Sequence, residues 1–141
     1  MARKTGISWT EATYNPWWGC TNVSPACDNC YAETSATNKG WNVWGAGTPR
    51  KRMTEATRRA PLTWEREATR EGKRIRVFCL SMGDIMDGEV PQEWRDEVWS
   101  LIDQTPHLDW QLLSKRPENY RRFLPESFKH ANVWLGTTAE N

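Results

Sequence analysis

The sequence predicts an α/β fold, namely a partial (βα) barrel of about four parallel strands with helices on its outside. Short apolar segments alternate with helical patterns along the chain, which is typical of a parallel sheet covered by helices. The polar residues that suggest chemistry follow the strands, where β/α barrels build their active sites. The chain has 141 residues, fewer than the roughly 250 of a full barrel, so its strands would form only part of one.

Four segments have the composition of strands. The first, GISWTEATY, alternates in period two through Ile7, Trp9 and Glu11. The other three, RIRVFCLS, DWQLLS and NVWLG, are short, apolar and rich in residues that favour buried strands. The predicted strands cover residues 6–14, 74–81, 109–114 and 132–136.

Helical patterns lie between these strands. The clearest, PQEWRDEVWSLIDQT, begins at Pro91, which suits a first helical turn, and repeats its apolar residues at helical spacing. Pro61 is expected to divide another helical segment into two pieces, which Gly72 closes. The predicted helices run from Asp28 to just before Lys39, over residues 51–72 in two pieces, over 91–105 and over 117–124.

Composition indicates a single domain over residues 1–141. The chain carries 19 basic and 18 acidic residues, a net charge of +1, so its overall charge does not indicate that it binds nucleic acid or a membrane. No apolar run resembles a signal peptide or approaches the roughly 20 residues of a membrane span. We therefore expect a cytoplasmic protein, and in that reducing compartment clustered cysteines bind metal more often than they form disulfides.

Three of the four cysteines, Cys20, Cys27 and Cys30, lie in one C-x6-C-x2-C segment. The last two flank a turn that enters a helix, whose N-terminus favours anionic sulfur. Three thiolates on a cubane [4Fe-4S] cluster leave one iron open to a small molecule, which is a catalytic arrangement. The alternatives are unligated thiols or a structural zinc site completed by Cys79, His107 or His130.

The segments ISWTEATYNPWWGCTNVSPACDNCYAE, VFCLSMGDIMD, WQLLSKRPEN and NVWLGTTAEN resemble a phage and prophage family of unknown function with a three-cysteine motif. That family is similar to the radical S-adenosylmethionine superfamily. The match covers nearly the whole chain but reaches only the first half of the usual family length.

The resemblance implies a partial β/α barrel in a protein of the bacterial cytoplasm, with Cys20, Cys27 and Cys30 holding a [4Fe-4S] cluster. S-adenosylmethionine would chelate the open iron, and its reductive cleavage would give a 5′-deoxyadenosyl radical. The segment SMGDIMD matches the place where that superfamily receives the methionyl amine, which makes Ser81 and Asp84 candidate cofactor-binding residues.

Three further features suggest a ligand site, each with a structural alternative. Asp84 could simply cap the next turn. Lys115 and Arg116 could hold a carboxylate or a phosphate, or complement the turn that follows them. Trp17 and Trp18, beside the first cysteine, could line a cofactor site or stack on a flat substrate ring, or they could serve as packing residues.

The sequence leaves the partners open. The basic segment PRKRMTEATRR could contact nucleic acid or form a solvated helix face, and a zinc-stabilised module that binds nucleic acid is the alternative function. Four parallel strands also leave an exposed edge, which a second chain or a second half would cover. No membrane partner is expected.

Overall fold

A computed structural model describes residues 10–20, 31–124 and 132–137 of the chain. In chain order, the elements are β1 (Ala12–Tyr14), β2 (Trp17–Trp18), α1 (Tyr31–Asn38), β3 (Lys51–Arg52), α2 (Glu55–Glu71), β4 (Ile75–Cys79), α3 (Gln92–Asp103), β5 (Leu108–Ser114), a 3-10 helix (Pro117–Asn119), α4 (Tyr120–Phe123) and β6 (Val133–Thr137).

Strands β1, β4, β5 and β6 form one parallel sheet in that order, with β4 and β5 at its centre. The predicted α/β class and the four parallel strands are therefore confirmed. Of the predicted first strand, residues 12–14 form β1, while residues 6–9 lie outside the described ranges. Because the four strands run in the same direction, their carboxyl ends lie at the same edge of the sheet.

Helices α2 and α3 cover one face of this sheet. Their buried residues, among them Trp64 and Ala68 of α2 and Ile102 of α3, join those of the strands in one hydrophobic core. Two edge-to-face aromatic contacts centred on Tyr14 fix its packing, one to Trp64 at 6.4 Å and one to Trp110 at 5.5 Å between ring centroids. None of the described helices has the length and apolar character to cross a membrane.

The prediction that Pro61 divides a helix was wrong. Helix α2 runs unbroken from Glu55 to Glu71, with Pro61 buried inside it. A proline cannot donate to the carbonyl one turn earlier, and its ring crowds that turn. Here the neighbouring carbonyl, that of Arg58, accepts a hydrogen bond of 2.6 Å from the buried Tyr14 hydroxyl. Core packing of α2 together with this tertiary hydrogen bond lets the helix continue.

The start of the same helix also differs from the prediction. Thr54 caps α2, because its hydroxyl accepts a hydrogen bond from the backbone N–H of Thr57. Residues 51 and 52 instead form β3, which pairs with β2 in a two-stranded antiparallel sheet. The helix predicted from Asp28 is present as α1 from Tyr31, and residues 28–30 lie outside the described ranges.

Candidate functional site at the carboxyl ends of the strands

The carboxyl edge of the sheet gathers the segments that follow β1, β4 and β5. Asn15, directly after β1, joins the first two of these segments. Its side-chain amide donates to the Ser81 hydroxyl at 3.0 Å, and its side-chain oxygen accepts from the backbone N–H of Met82 at 2.8 Å. Ser81, the last residue of the second predicted strand, is half-buried at this edge.

Leu80 turns the chain sharply where β4 ends. It has φ +66°, a left-handed conformation that costs a branched residue about 1–2 kcal/mol. Its side chain is 2 % exposed, and its N–H donates to the Tyr14 carbonyl at 2.7 Å, so packing and pairing hold the strained turn in place. Strain of this kind concentrates at functional sites, and here it directs Ser81 to Asp84 toward the cysteine segment.

Two glycines allow the cysteine segment to reach the segment after β4. Gly19 has φ +122°, and a Cβ there would lie 2.3 Å from the Val43 carbonyl oxygen. Gly19 donates to the Met82 carbonyl at 3.0 Å and pairs in a parallel bridge with Gly83, where a Cβ would meet the Gly19 carbonyl oxygen at 3.1 Å. The close backbone contact fixes the residue that follows Gly19, which is Cys20.

Cys20 is half-buried between two loops. Its carbonyl accepts a hydrogen bond of 2.8 Å from Gly45, and it forms a bridge with Trp44. On the side-chain side, the guanidinium Nη1 of Arg116 donates to the Cys20 Sγ at 3.2 Å. The first predicted metal ligand therefore lies next to a predicted ligand-binding arginine.

Asp84 anchors that arginine. One carboxylate oxygen accepts from the Ser114 hydroxyl at 2.7 Å and from the Met86 N–H at 2.9 Å. The other accepts from Arg116 Nη1 at 3.0 Å and from the Lys115 N–H at 3.1 Å. Asp84 is only 4 % exposed, so these bonds compensate a buried charge. The Met86 contact also makes Asp84 the cap of its own turn, the alternative that its sequence position allowed.

Opposing effects act on the thiol of Cys20. Burial is the larger and raises the pKa of Cys20, whereas the charge and hydrogen bond of Arg116 lower it, leaving the pKa above its ordinary value. Burial also works against the charged form of Arg116, but Cys20 and Asp84 outweigh it and raise the pKa of the guanidinium. The arginine therefore remains a cation beside the sulfur.

A second buried ion pair supports the loop on the other side of Cys20. Arg50 Nε donates to a carboxylate oxygen of Asp87 at 2.6 Å, and the two side chains are 1 % and 2 % exposed. The Arg50 guanidinium also donates to the carbonyls of Gly45 and Thr48 at 3.0 and 2.7 Å. Arg50 was predicted to lie in a solvated or nucleic-acid-binding face. It is buried instead, because Asp87 offers a partner that sequence position alone does not reveal.

Four of the predicted ligand residues are thus brought together, namely Cys20, Asp84, Arg116 and, through its backbone N–H, Lys115. Ser81 lies at the same edge, where it is bonded to Asn15. Cys27, Cys30 and His130 lie outside the described ranges, and within those ranges no group of three His, Cys, Asp or Glu side chains is arranged to hold a metal ion.

Of the suggested zinc ligands, Cys79 is fully buried in the hydrophobic core. His107 lies before β5, at the amino edge of the sheet, where its Nδ1 is 2.6 Å from a carboxylate oxygen of Glu65. A seven-residue strand separates His107 from the carboxyl edge, a span of about 20 Å. His107 therefore cannot share an ion with Cys20.

Sequence reasoning missed Ser114, Asn15 and the Arg50–Asp87 pair. Ser114 is the last residue of β5, and Asn15 directly follows β1. Polar residues at the ends of two predicted parallel strands were a usable signal for both, because such ends converge. No comparable signal links Arg50 to Asp87.

The fold and the site define an α/β protein whose parallel sheet gathers a thiol, a guanidinium and a buried carboxylate at its carboxyl edge. The chain belongs to the family described as Protein of unknown function (DUF5131), whose profile matches residues 4–141. Neither the search of curated proteins nor the search of solved structures gives a significant match. Membership in a family of unknown function is confirmed, and the likeness to the radical S-adenosylmethionine superfamily and the phage origin stay predictions.

Proposed function

We propose that the protein is an iron–sulfur protein resembling radical S-adenosylmethionine enzymes, in which Cys20, Cys27 and Cys30 hold a [4Fe-4S] cluster. The supporting observation is the position of Cys20, whose Sγ lies beside Arg116 at the carboxyl edge of a parallel sheet. The sheet would form part of a β/α barrel, whose active site belongs at that edge. When bound, the cluster would supply an open iron for S-adenosylmethionine and the electron for its reductive cleavage.

The described residues fit such a group in charge and donor type. A cysteine ligates as its thiolate, and burial alone would oppose that form at Cys20. The Arg116 guanidinium, 3.2 Å from the sulfur, stabilises the negative charge that ligation requires. An N–H donor at the sulfur is also one of the ways in which proteins tune iron–sulfur centres.

The residues around Cys20 would divide their roles. A carboxylate has about four acceptor sites, and Asp84 already receives four hydrogen bonds. Asp84 therefore acts chiefly by holding Arg116 against Cys20. Ser81 and Lys115 are less buried than Asp84 and follow β4 and β5, so they are the residues we assign to the polar groups of S-adenosylmethionine.

A zinc-stabilised module that binds nucleic acid is the weaker alternative. Zinc sites of this type need four ligands, and the three cysteines would need a fourth. Of the described residues suggested for that role, Cys79 lies in the core and His107 at the opposite edge of the sheet.

A second chain or a second half remains part of the proposal. β6 is an edge strand of the described sheet, and it exposes Trp134 by 54 % and Leu135 by 46 %. A shallow pocket of about 340 Å³ lies against it, lined also by Gln111 and Leu113. Parallel sheets are normally covered on both faces. Sedimentation equilibrium tests this part, since a monomer at all concentrations would contradict a covering second copy.

The reaction is tested with protein purified and reconstituted without oxygen, then mixed with S-adenosylmethionine and dithionite. We expect 5′-deoxyadenosine, and loss of that product in Cys20→Ser, Cys27→Ser and Cys30→Ser. Cys79→Ala is the matched control, because its thiol lies in the core. Cluster-loaded protein that forms no 5′-deoxyadenosine and does not bind S-adenosylmethionine would contradict the proposed reaction.

A further inference from the structure

Two tryptophans and two lysines form a surface beside Cys20. This surface, here called the Trp–Lys surface, consists of Trp18, Lys39, Trp41 and Lys51. Trp18 belongs to β2 and Lys51 to β3, while Lys39 and Trp41 follow α1. Trp18 lies two residues before Cys20, so the surface adjoins the candidate site.

The pairing of β2 with β3 explains why these side chains point outward. Trp17 lies opposite Arg52, and Trp18 lies opposite Lys51. Successive side chains of a strand point to opposite faces. Trp17 is fully buried and packs on Trp94, with 6.1 Å between ring centroids. Trp18 and Lys51 consequently share the other face, and Trp18 is half-buried there.

The four side chains form a compact cluster. The rings of Trp18 and Trp41 meet edge to face, with centroids 5.0 Å apart and planes at 82°. The Lys39 ammonium lies 5.8 Å from the Trp18 centroid and 5.5 Å from that of Trp41. Lys51 lies 5.0 Å from the Trp41 centroid. The indoles therefore hold two cations in place by cation–π attraction.

Lys51 belongs to the basic segment PRKRMTEATRR, but Lys51 and Lys39 differ from three arginines of that segment. Arg50 pairs with Asp87 and Glu89, and both Arg52 and Arg58 pair with Glu97. Lys39 and Lys51 are exposed, and within the described ranges no carboxylate pairs with either. Their positive charge is thus available to an anionic ligand, whereas that of the three arginines is largely compensated.

We propose that the Trp–Lys surface binds single-stranded nucleic acid. Proteins that bind single strands combine cations along the backbone with aromatic rings on which bases stack. Here a base would stack on Trp18 or Trp41, and the lysine ammoniums would move from the indoles to the flanking phosphates. A strand held there would pass next to Cys20. The inference goes beyond the proposed function and does not depend on a cluster.

Fluorescence anisotropy of a short fluorescein-labelled oligothymidine tests this binding, with the full chain both as purified and after cluster reconstitution. We expect Trp18→Ala to weaken binding roughly 5-fold to 150-fold, the range for loss of one base–aromatic stack. Trp18→Phe should retain most of the affinity, since it keeps a ring. Lys51→Ala should lower the slope of log affinity against log salt by about 0.7, the contribution of one phosphate contact on a single strand.

The chain offers matched controls for both residue types. Trp134→Ala removes an exposed indole from β6, and Lys73→Ala removes an exposed lysine before β4, at the amino edge of the sheet. Both variants should bind like the wild type when each is compared with it in the same oligomeric state, because Trp134 also lies on the surface proposed for a second copy. Circular dichroism and the thermal midpoint check that Trp18→Ala and Lys51→Ala remain folded.

Three results would overturn the proposal. The first is the absence of oligothymidine binding at low salt. The second is an equal loss of affinity in the Trp134 and Lys73 controls. The third is equal competition by inorganic polyphosphate with no effect of Trp18→Ala, which would indicate a simple anion surface. None of these results bears on the iron and S-adenosylmethionine experiments, so the two proposals fail separately.

Discussion

Arg116 and Cys20 are 96 residues apart in the sequence, yet the guanidinium Nη1 lies 3.2 Å from the thiol sulfur. The same nitrogen donates to Asp84 at 3.0 Å, which fixes the guanidinium between a buried carboxylate and the thiol. This three-residue contact joins the segments that follow β1, β4 and β5. Its consequences can be measured in reduced, metal-free protein as well as in the loaded form.

Removing the guanidinium should raise the pKa of Cys20 further. Burial already raises this pKa, and Arg116 is the group that opposes the rise. In reduced, metal-free protein, we expect Arg116→Ala to raise it by about one unit or more, the effect of losing a neighbouring opposite charge. The pKa is read from the pH dependence of iodoacetamide alkylation of the Cys20 peptide by mass spectrometry. Arg116→Lys should show a smaller rise, and superimposable profiles for Arg116→Ala and wild type would contradict this role.

Neutralising Asp84 should destabilise the fold strongly. Asp84→Asn leaves the buried Arg116 without its carboxylate, and breaking a buried pair costs about 3–5 kcal/mol. Urea unfolding measures the free energy of unfolding. Asp96→Asn is the control, because Asp96 is exposed and its carboxylate accepts a hydrogen bond from the exposed amide of Gln92, so its loss should cost less than about 0.5 kcal/mol. Equal losses in the free energy of unfolding for the two substitutions would contradict a large stabilising contribution from the buried Asp84–Arg116 pair.

A side chain at Gly19 should lower the free energy of unfolding and displace the backbone next to Cys20. Gly19→Ala would combine a positive φ with a Cβ 2.3 Å from the Val43 carbonyl oxygen. Gly47 also has a positive φ, +74°, but no atom lies within 4 Å of a Cβ there. We expect Gly47→Ala to cost about 1–2 kcal/mol and Gly19→Ala about 1–3 kcal/mol more. Since the displaced backbone carries Cys20, Gly19→Ala should also reduce iron content after reconstitution, while Gly47→Ala should not.

Stability should fall at alkaline pH because of the core thiol. Burial raises the pKa of Cys79, and an unfolded cysteine ionises near pH 8.5, so the unfolded state gains thiolate first. The contribution of this thiol is complete below about pH 8.5 and is lost as pH rises, by up to about 1.4 kcal/mol per pH unit. Urea unfolding of reduced, metal-free protein between about pH 8.5 and 10 should show a shallower decline for Cys79→Ala. Identical slopes for variant and wild type would contradict the prediction.

The strands of the parallel sheet were predictable because their own residues, short apolar segments, favour a buried strand. Ile75, Val77 and Cys79 alternate with less buried residues in a short segment that no helix period fits. The gathering of Asp84 and Arg116 near Cys20 followed from their positions after parallel strands. That Asp84 would bind the arginine of the next segment did not follow, since sequence position places residues at an edge but does not pair them.

Short-range rules failed where tertiary contacts decided the structure. Pro61 should break a helix locally, but Trp64 and Ala68 bury α2 in the core and Tyr14 bonds to a carbonyl in the turn before the proline. Trp18 and Lys51 pair between two strands of only two residues each, which are far apart in the sequence. Strands this short show no hydrophobic periodicity, so the sequence does not predict their pairing. That pairing is also what places the Trp–Lys surface beside Cys20.

Iron and acid-labile sulfide analysis of protein purified without oxygen tests the central claim most directly. The account predicts about four irons and four sulfides per chain for the wild type and for Cys79→Ala. It predicts severe loss of both in the single serine variants of Cys20, Cys27 and Cys30. Colourless protein with one tightly held zinc per chain, or iron retained in full after Cys20→Ser, would contradict it.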